Sequence, residues 1–305
     1  MISANLRENK PFTQTGWHKI TDWVTPSSTG HVASSASLNN GDFKAEFAGL
    51  YNVFTTLTFS SADTGNFKVR VLINNDLETS HPGLVSTFQD SSNFNSLSVF
   101  GTVRLQPENT LSVYVYSDND TNWNLVGSSE STYSLELVGF FGYIPGFSAY
   151  LTTPMTTNGT KTQIIRWKDY GLPGVFRSGT GFSSDLGTFA AICDGIYQIS
   201  AIVRIKNQNP GTFNMAIEFN GQDTGSVVIH QEDKSLATFS LFVSLSLYFK
   251  PGDKASLQVY GTTTFTVETE SSFSGVIVNT GGNIPGKEFV FLVMNVAVTR
   301  RRLES

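Results

Sequence analysis

The chain carries one stretch twice, and that repetition limits what it can fold into. Residues 43–59 read FKAEFAGLYNVFTTLTF and residues 189–205 read FAAICDGIYQISAIVRI. In each, a Phe precedes a Gly by six residues and a Tyr follows that Gly by two: Phe43, Gly49, Tyr51, then Phe189, Gly195, Tyr197. Further matches keep the same order on either side. Residues 2–6 (ISANL) match 147–151 (FSAYL), Ile20 and Trp23 match Ile164 and Trp167, and residues 67–74 (FKVRVLIN) match 213–220 (FNMAIEFN). Residues 132–134 match 272–274, and the IPG at 144–146 recurs at 284–286. The offset drifts by a few residues, as it does when loops change length between strands of fixed length. A period of roughly 140 residues is a domain rather than a solenoid unit. The expected organisation is therefore one copy over 1–140, a linker at 141–146, a second copy over 147–279 and a tail at 280–305.

Within each copy the apolar residues alternate with period two, as in Phe43, Ala45, Phe47, Tyr51, Val53 and Leu57, which predicts strands. Residues 43–59 read as one long strand, or two with a bend at Gly49, and 227–230 as a short edge strand. Turns are marked by Pro107, by Asn220-Gly221 and by Pro251-Gly252-Asp253. No segment sustains a helical period. Eight to ten short strands in each copy make an all-β sandwich or jelly roll. Composition agrees, with 15% charged residues and 24 Phe. A net charge of −5 argues against nucleic acid as the main partner, since phosphate binding needs a basic face.

The Phe-x5-Gly-x-Tyr spacing resembles the central strand of the complement C1q/tumour necrosis factor-like domain family. In the second copy, Phe182 seven residues before Phe189, the SFSG of residues 272–275 with Ile277, Pro251-Gly252-Asp253 and residues 147–149 are also similar to that family. The first copy departs more, with Ala36, Glu108-Asn109 and Leu135-Glu136 where the family pattern differs. The resemblance covers nearly the whole chain. It implies two tandem ten-stranded jelly-roll β-sandwich domains that homotrimerise, one sheet of each packing on its neighbours through apolar residues. It also implies a secreted or cell-surface protein that binds a protein or glycan ligand. Tyr51 and Tyr197 would lie in or near that oligomer interface, or in the core with a hydroxyl at the rim. Residues 238–249 (TFSLFVSLSLYF) hold more apolar area than one core face uses, so Phe239, Phe242 and Tyr248 are further interface candidates.

Catalysis finds no motif. The histidines, His18, His31, His81 and His230, are scattered, and Cys193 stands alone, where its counterpart is Phe47, as a small core residue that excludes an intrachain disulfide. Acidic loops offer ligand-binding candidates: Asp118 and Asp120 with Trp123 in the first copy, Glu232 and Asp233 in the second. Trp123 reads as core or rim packing, or as a face for a sugar. Loop carboxylates suit Ca2+, the one cofactor left open, although neither cluster has a ligand spacing. Asn119 and Asn158 head glycosylation sequons. No secretory signal is visible, and Met1 reads as an added start on an excised fragment. The apolar run after Lys287 is too short to span a bilayer. It reads as the first strand of a third copy or as a strand that docks on a neighbour. The competing readings are a structural or capsid-like jelly-roll subunit and a monomeric carbohydrate-binding sandwich.

Overall fold

The computed structural model describes residues 2–25, 36–61, 65–76, 85–90, 93–118, 123–139, 145–170, 175–178, 181–233 and 235–279. The tail at 280–305 and most of the 141–146 linker lie outside them. Among the described residues every regular element is a strand. The first half gives β1 (Ile2–Leu6), β2 (Lys10–Phe12), β3 (Gly16–Lys19), β4 (Trp23–Val24), β5 (Ala36–Asn39), β6 (Asp42–Ala45), β7 (Gly49–Ser61), β8 (Gly65–Ile73), β9 (Val85–Asp90), β10 (Asn93–Leu105), β11 (Thr110–Ser117), β12 (Trp123–Leu125) and β13 (Ser128–Gly139). The second half gives β14 (Gly146–Leu151), β15 (Met155–Thr157), β16 (Thr162–Gln163), β17 (Trp167–Lys168), β18 (Phe176–Ser178), β19 (Phe182–Ser183), β20 (Thr188–Ala190), β21 (Gly195–Asn207), β22 (Gly211–Phe219), β23 (Gln222–Glu232), β24 (Thr238–Phe249), β25 (Lys254–Gly261), β26 (Phe265–Val267) and β27 (Ser272–Asn279).

These strands form the same jelly-roll sandwich twice. One sheet runs β2-β12-β7-β13-β1-β4 with β10 on the far edge of β7; its counterpart runs β15-β26-β21-β27-β14-β17 with β24 on β21. The facing sheets run β5-β6-β11-β8-β9 and β19-β20-β25-β22-β23. All pairings are antiparallel, and in each long pair the register is continuous: Leu105 faces Gly49 and Asn93 faces Ser61, as Phe249 faces Gly195 and Thr238 faces Lys206. Alternation puts Tyr51, Val53, Leu57 and Phe59 of β7 into the first core with Val69, Val71, Leu111 and Val113 of the opposing sheet. Tyr197, Ile199, Val203 and Ile205 do the same with Met215, Ile217, Leu257 and Val259 in the second.

Residues 43–59 are not one strand. β6 lies in one sheet and β7 in the other, and the chain crosses between them over 46–48. The repeated Phe-x5-Gly-x-Tyr spacing has a physical reason at this crossing. Phe43 and Tyr51 enter the core from opposite sheets, each fully buried. The Tyr51 hydroxyl then donates back to the Phe47 carbonyl at 2.9 Å, tying the crossover down; Tyr197 donates to the Cys193 carbonyl at 3.1 Å in the same way. A Cβ on Gly49 would lie 2.5 Å from the Leu137 side chain and 2.8 Å from the Gly139 carbonyl, so the strand entry has no room for one. The edge segment expected at 227–230 is longer, an eleven-residue β23, because it pairs with nearly all of β22 around a bulge at Ala216/Glu218.

Candidate assembly interface

The sandwiches meet by the edge of the first on the face of the second. β10 lies across β14, β27, β21 and β24, while β9 lies against β24 and β21. Among the described residues β24, the counterpart of β10, has no comparable packing on β1, β7 or β13. The contact is therefore head to tail, with two unlike halves. Ile202 of β21 is completely buried in the first sandwich's core cluster, and Phe242 of β24 packs against that cluster. The Phe242 ring lies 6.1 Å from Phe100, which in turn lies 6.3 Å from Phe54. Leu50 of β7 joins Phe176 and Val276 of the second sandwich in a separate buried cluster.

Hydrogen bonds satisfy the polar groups that this packing dries out. Asn52 Nδ2 donates to Gln198 Oε1 at 3.0 Å while Asn52 Oδ1 accepts from Thr102 at 2.7 Å. The Thr87 amide donates to Ser240 Oγ at 3.1 Å. At one margin Glu270 lies between two arginines, with Arg70 at 3.6 Å from the first sandwich and Arg204 in contact from the second. Arg70 stacks over Trp17, 4.6 Å from the ring. Burial presses both guanidinium pKa values down, and Lys68 is lowered by burial and then by the two arginines. A cavity of about 310 Å3 opens here, lined by Arg70, Val85, Tyr150, Thr152, Thr269 and Glu270.

Of the interface candidates, Phe242 lies in this contact. Tyr51, Tyr197 and Phe239 do not: all three are buried in their own sandwich's core, because their register positions face inward. Tyr248 sits half-buried at the end of β24, and a hydrogen bond with Asp194 raises its pKa. Residues 238–249 hold less surplus apolar area than expected. Phe239, Leu241, Val243 and Leu245 point inward, and the other face is Ser240, Phe242, Ser244 and Ser246.

The loop candidates do not converge. Trp123 begins a strand opposite Phe12 and is completely buried, stacked on that ring at 4.2 Å and edge-on to Phe67 at 5.7 Å; it offers no face to a sugar. Asp118 accepts from the Asn66 amide at 2.6 Å and from its side chain. Asp120, Asn119, His31 and His81 lie outside the described residues. Glu232 sits 3.5 Å from His230, and Asp233 accepts from Gln231 at 3.3 Å. Among the described residues no group of three or more His, Cys, Asp or Glu is placed to hold a metal. His18 packs on Phe12 at 5.0 Å. Cys193 is half-buried, its Sγ 3.2 Å from the Tyr197 hydroxyl. Asn158 is exposed and accepts from Thr160.

Burial is the main cause raising the pKa values of Tyr51, Tyr133 and Tyr197. A raised folded-state value means that their contribution to stability is intact below the unfolded value near ~10 and is lost as pH rises past it. The melting temperature should therefore fall steeply above about pH 10, with the phenolate absorbance of these rings appearing together with unfolding. Reversible ionisation of all ten tyrosines in the folded chain would contradict this.

Ile202 and Phe100, which sequence reasoning missed, share a signal with Phe242, which it proposed. Ile202, Phe100 and Phe242 stand where the other copy has Thr56, Ser244 and Ser98 in the same register. An apolar residue in one copy against a hydroxyl in the other marks a contact whose halves differ.

No family model matches the chain, and no curated protein matches it by sequence. Solved structures with a similar fold include the globular domain of zebrafish complement 1qA protein, 14% identical, covering 44% of this chain and 97% of that one, with a TM-score of 0.33. Eiger TNF from S. frugiperda is 18% identical over 46% of this chain and 93% of that one, with a TM-score of 0.35. Murine APRIL is 15% identical over 44% and 98%, also with a TM-score of 0.35. The neighbours are thus C1q and TNF-family globular domains, each matching under half of the chain.

Proposed function

We propose that the chain is a non-enzymatic recognition and assembly protein of the cell exterior, secreted or part of a surface ectodomain. It homotrimerises through its jelly rolls and presents loops to a protein or glycan ligand with the avidity that symmetry provides. One observation carries this reading: the sandwiches already associate head to tail within one chain, through a face whose serines and threonines are dry. That face is built for contact with another sandwich rather than with water. No helix among the described residues is long and apolar enough to cross a membrane, and Asn158 stands exposed for a glycan.

The test is the solution mass at several concentrations. The expected result is a mass near three times the 33.3 kDa of the chain. A concentration-independent monomer would overturn assembly, and closed or lattice-like particles would favour a structural shell subunit instead. Ligand binding is read separately, by a glycan array and by capture on candidate protein ligands.

A further inference from the structure

The cavity of about 310 Å3 at the joint is walled by both sandwiches. Arg70 and Val85 come from β8 and β9 of the first, and Tyr150, Thr152, Thr269 and Glu270 come from the second. Its size and its place between two units are those of a small-molecule site. We propose that it binds a sugar acid, a ring whose carboxylate stands beside hydroxyls. The site is separate from the loops of the reading above and stands whether or not the chain assembles.

The walls are held in place before any ligand arrives. The turn that carries Thr269 and Glu270 is tied at both ends: the Leu151 amide donates to the Ser271 carbonyl at 3.0 Å, the Arg204 amide to Ser271 Oγ at 3.0 Å, and Ser271 Oγ to the Glu268 carbonyl at 2.7 Å. Val85 and Tyr150 are buried, and the Tyr150 hydroxyl donates to the Tyr170 carbonyl at 3.4 Å. Arg70 lies flat over Trp17, which fixes the plane of its guanidinium. The first sandwich builds the same turn without these groups. There the Thr58 amide donates to Ser131 Oγ, which makes Glu130 the counterpart of Glu270, and Glu130 is exposed. Arg70 and Arg204 correspond to Ala216 and Thr58, and Tyr150 to Asn5. The charged and aromatic walls are therefore particular to the joint.

The chemistry of the walls selects the ligand. Lys68, Arg70 and Arg204 crowd one region, and Glu270 is the carboxylate between the two arginines. Of the other acids acting on these cations, Asp118 accepts from Asn66 and Glu268 acts on Arg204. Arg70 is the cation that lines the cavity, and its 3.6 Å approach to Glu270 is an ion pair longer than a hydrogen bond. A ligand carboxylate relieves the repulsion among partly dehydrated cations and matches the fork of a guanidinium; a ligand ammonium would add to that repulsion. Glu270 and the hydroxyls of Thr152 and Thr269 suit the donors of neighbouring ligand hydroxyls. Val85 and the Tyr150 ring offer an apolar wall for the ring's C–H face. A bare carboxylate would leave the threonines unused, and a neutral sugar would leave Arg70 unused.

Titration calorimetry of the full chain with glucuronate, glucose, acetate and sulfate tests the site. The expected result is saturable binding of glucuronate, with glucose and acetate each weaker by about tenfold or more because each lacks half of the recognised group. Glucuronate should also raise the melting temperature with concentration, since the ligand touches both sandwiches. Thr269→Val, which exchanges a hydroxyl for a methyl of similar size, should weaken binding about tenfold. Thr152→Trp, altered at an exposed lining position, should abolish binding and leave the melting temperature of the free chain unchanged. A disaccharide ending in glucuronate that binds more tightly than the free sugar acid identifies the end of a glycan as the source; equal affinity identifies the free acid. Glucose binding as tightly as glucuronate overturns the proposal, as does sulfate matching it, which would mean an adventitious ion only. Glucuronate binding untouched by both variants, or no saturable binding at all, overturns it as well.

Discussion

Trp123→Ala is expected to lower the unfolding free energy by about 3–5 kcal/mol, the range for removing a fully buried tryptophan. Its ring fills the space among Phe12, Phe59, Phe67 and His18, at centroid distances of 4.2, 5.9, 5.7 and 6.3 Å. β12 is only three residues long and holds β2 to β7, so the collapse would also loosen that corner of the sheet. Trp123→Phe should cost much less, about 1.5 kcal/mol or below, because Phe265 occupies the same register position in the second sandwich. Denaturant unfolding of the pair decides the role of this residue. If Trp123→Ala left stability within about 1 kcal/mol of the wild type while abolishing a glycan-array signal, Trp123 would be a binding residue and its place in the core would be wrong.

Trp123 also shows where reading the chain by pattern stops. The polar run SDNDTN before it looks like a loop, and an aromatic at the end of a loop looks like a ligand platform. Its burial depends on β2, more than a hundred residues earlier, coming to lie beside it. Local alternation and turn residues were enough to place the strands and the all-β fold, because each strand buries one face and the repeat doubles every signal. The crossover at 46–48 was harder, since Phe43 to Phe59 keeps period two straight through it. Faces were harder still. Tyr51 looks the same in sequence whether it points to its own core or to a neighbour, and its complete burial in that core, with its bond back to the Phe47 carbonyl, distinguishes the two.

The hydroxyls of the contact were illegible for a related reason. Thr56 bonds Ser98 at 2.9 Å and Ser200 bonds Ser244 at 3.0 Å. Paired across neighbouring strands, these groups can leave water at little cost. In sequence they are simply Ser and Thr on a strand's outer face, the usual mark of solvent. What separates the copies is where hydroxyl and apolar residues trade places, as at Phe100 and Ser244, and that becomes visible only after the register is known.

The joint between the sandwiches should depend most on Glu270. The side chains of Arg70 and Arg204 are 14% and 20% exposed, and Glu270 is the carboxylate between them. Glu270→Ala leaves two dehydrated guanidiniums, with Lys68 nearby, facing one another without that acid. Removing one partner of a buried ion cluster costs about 3–5 kcal/mol, and the 30% exposure of Glu270 places the expected loss at the lower end, about 3 kcal/mol. The loss falls on the contact rather than on either core, so calorimetry should resolve one cooperative unfolding transition into two. Replacing the cluster with apolar groups of similar size, as Arg70→Met, Arg204→Met and Glu270→Leu together, should recover most of the stability, because the penalty comes from the unpaired charge. A single transition in Glu270→Ala, shifted by under about 1 kcal/mol, would mean that the apolar line of Phe54, Phe100 and Phe242 holds the sandwiches together alone.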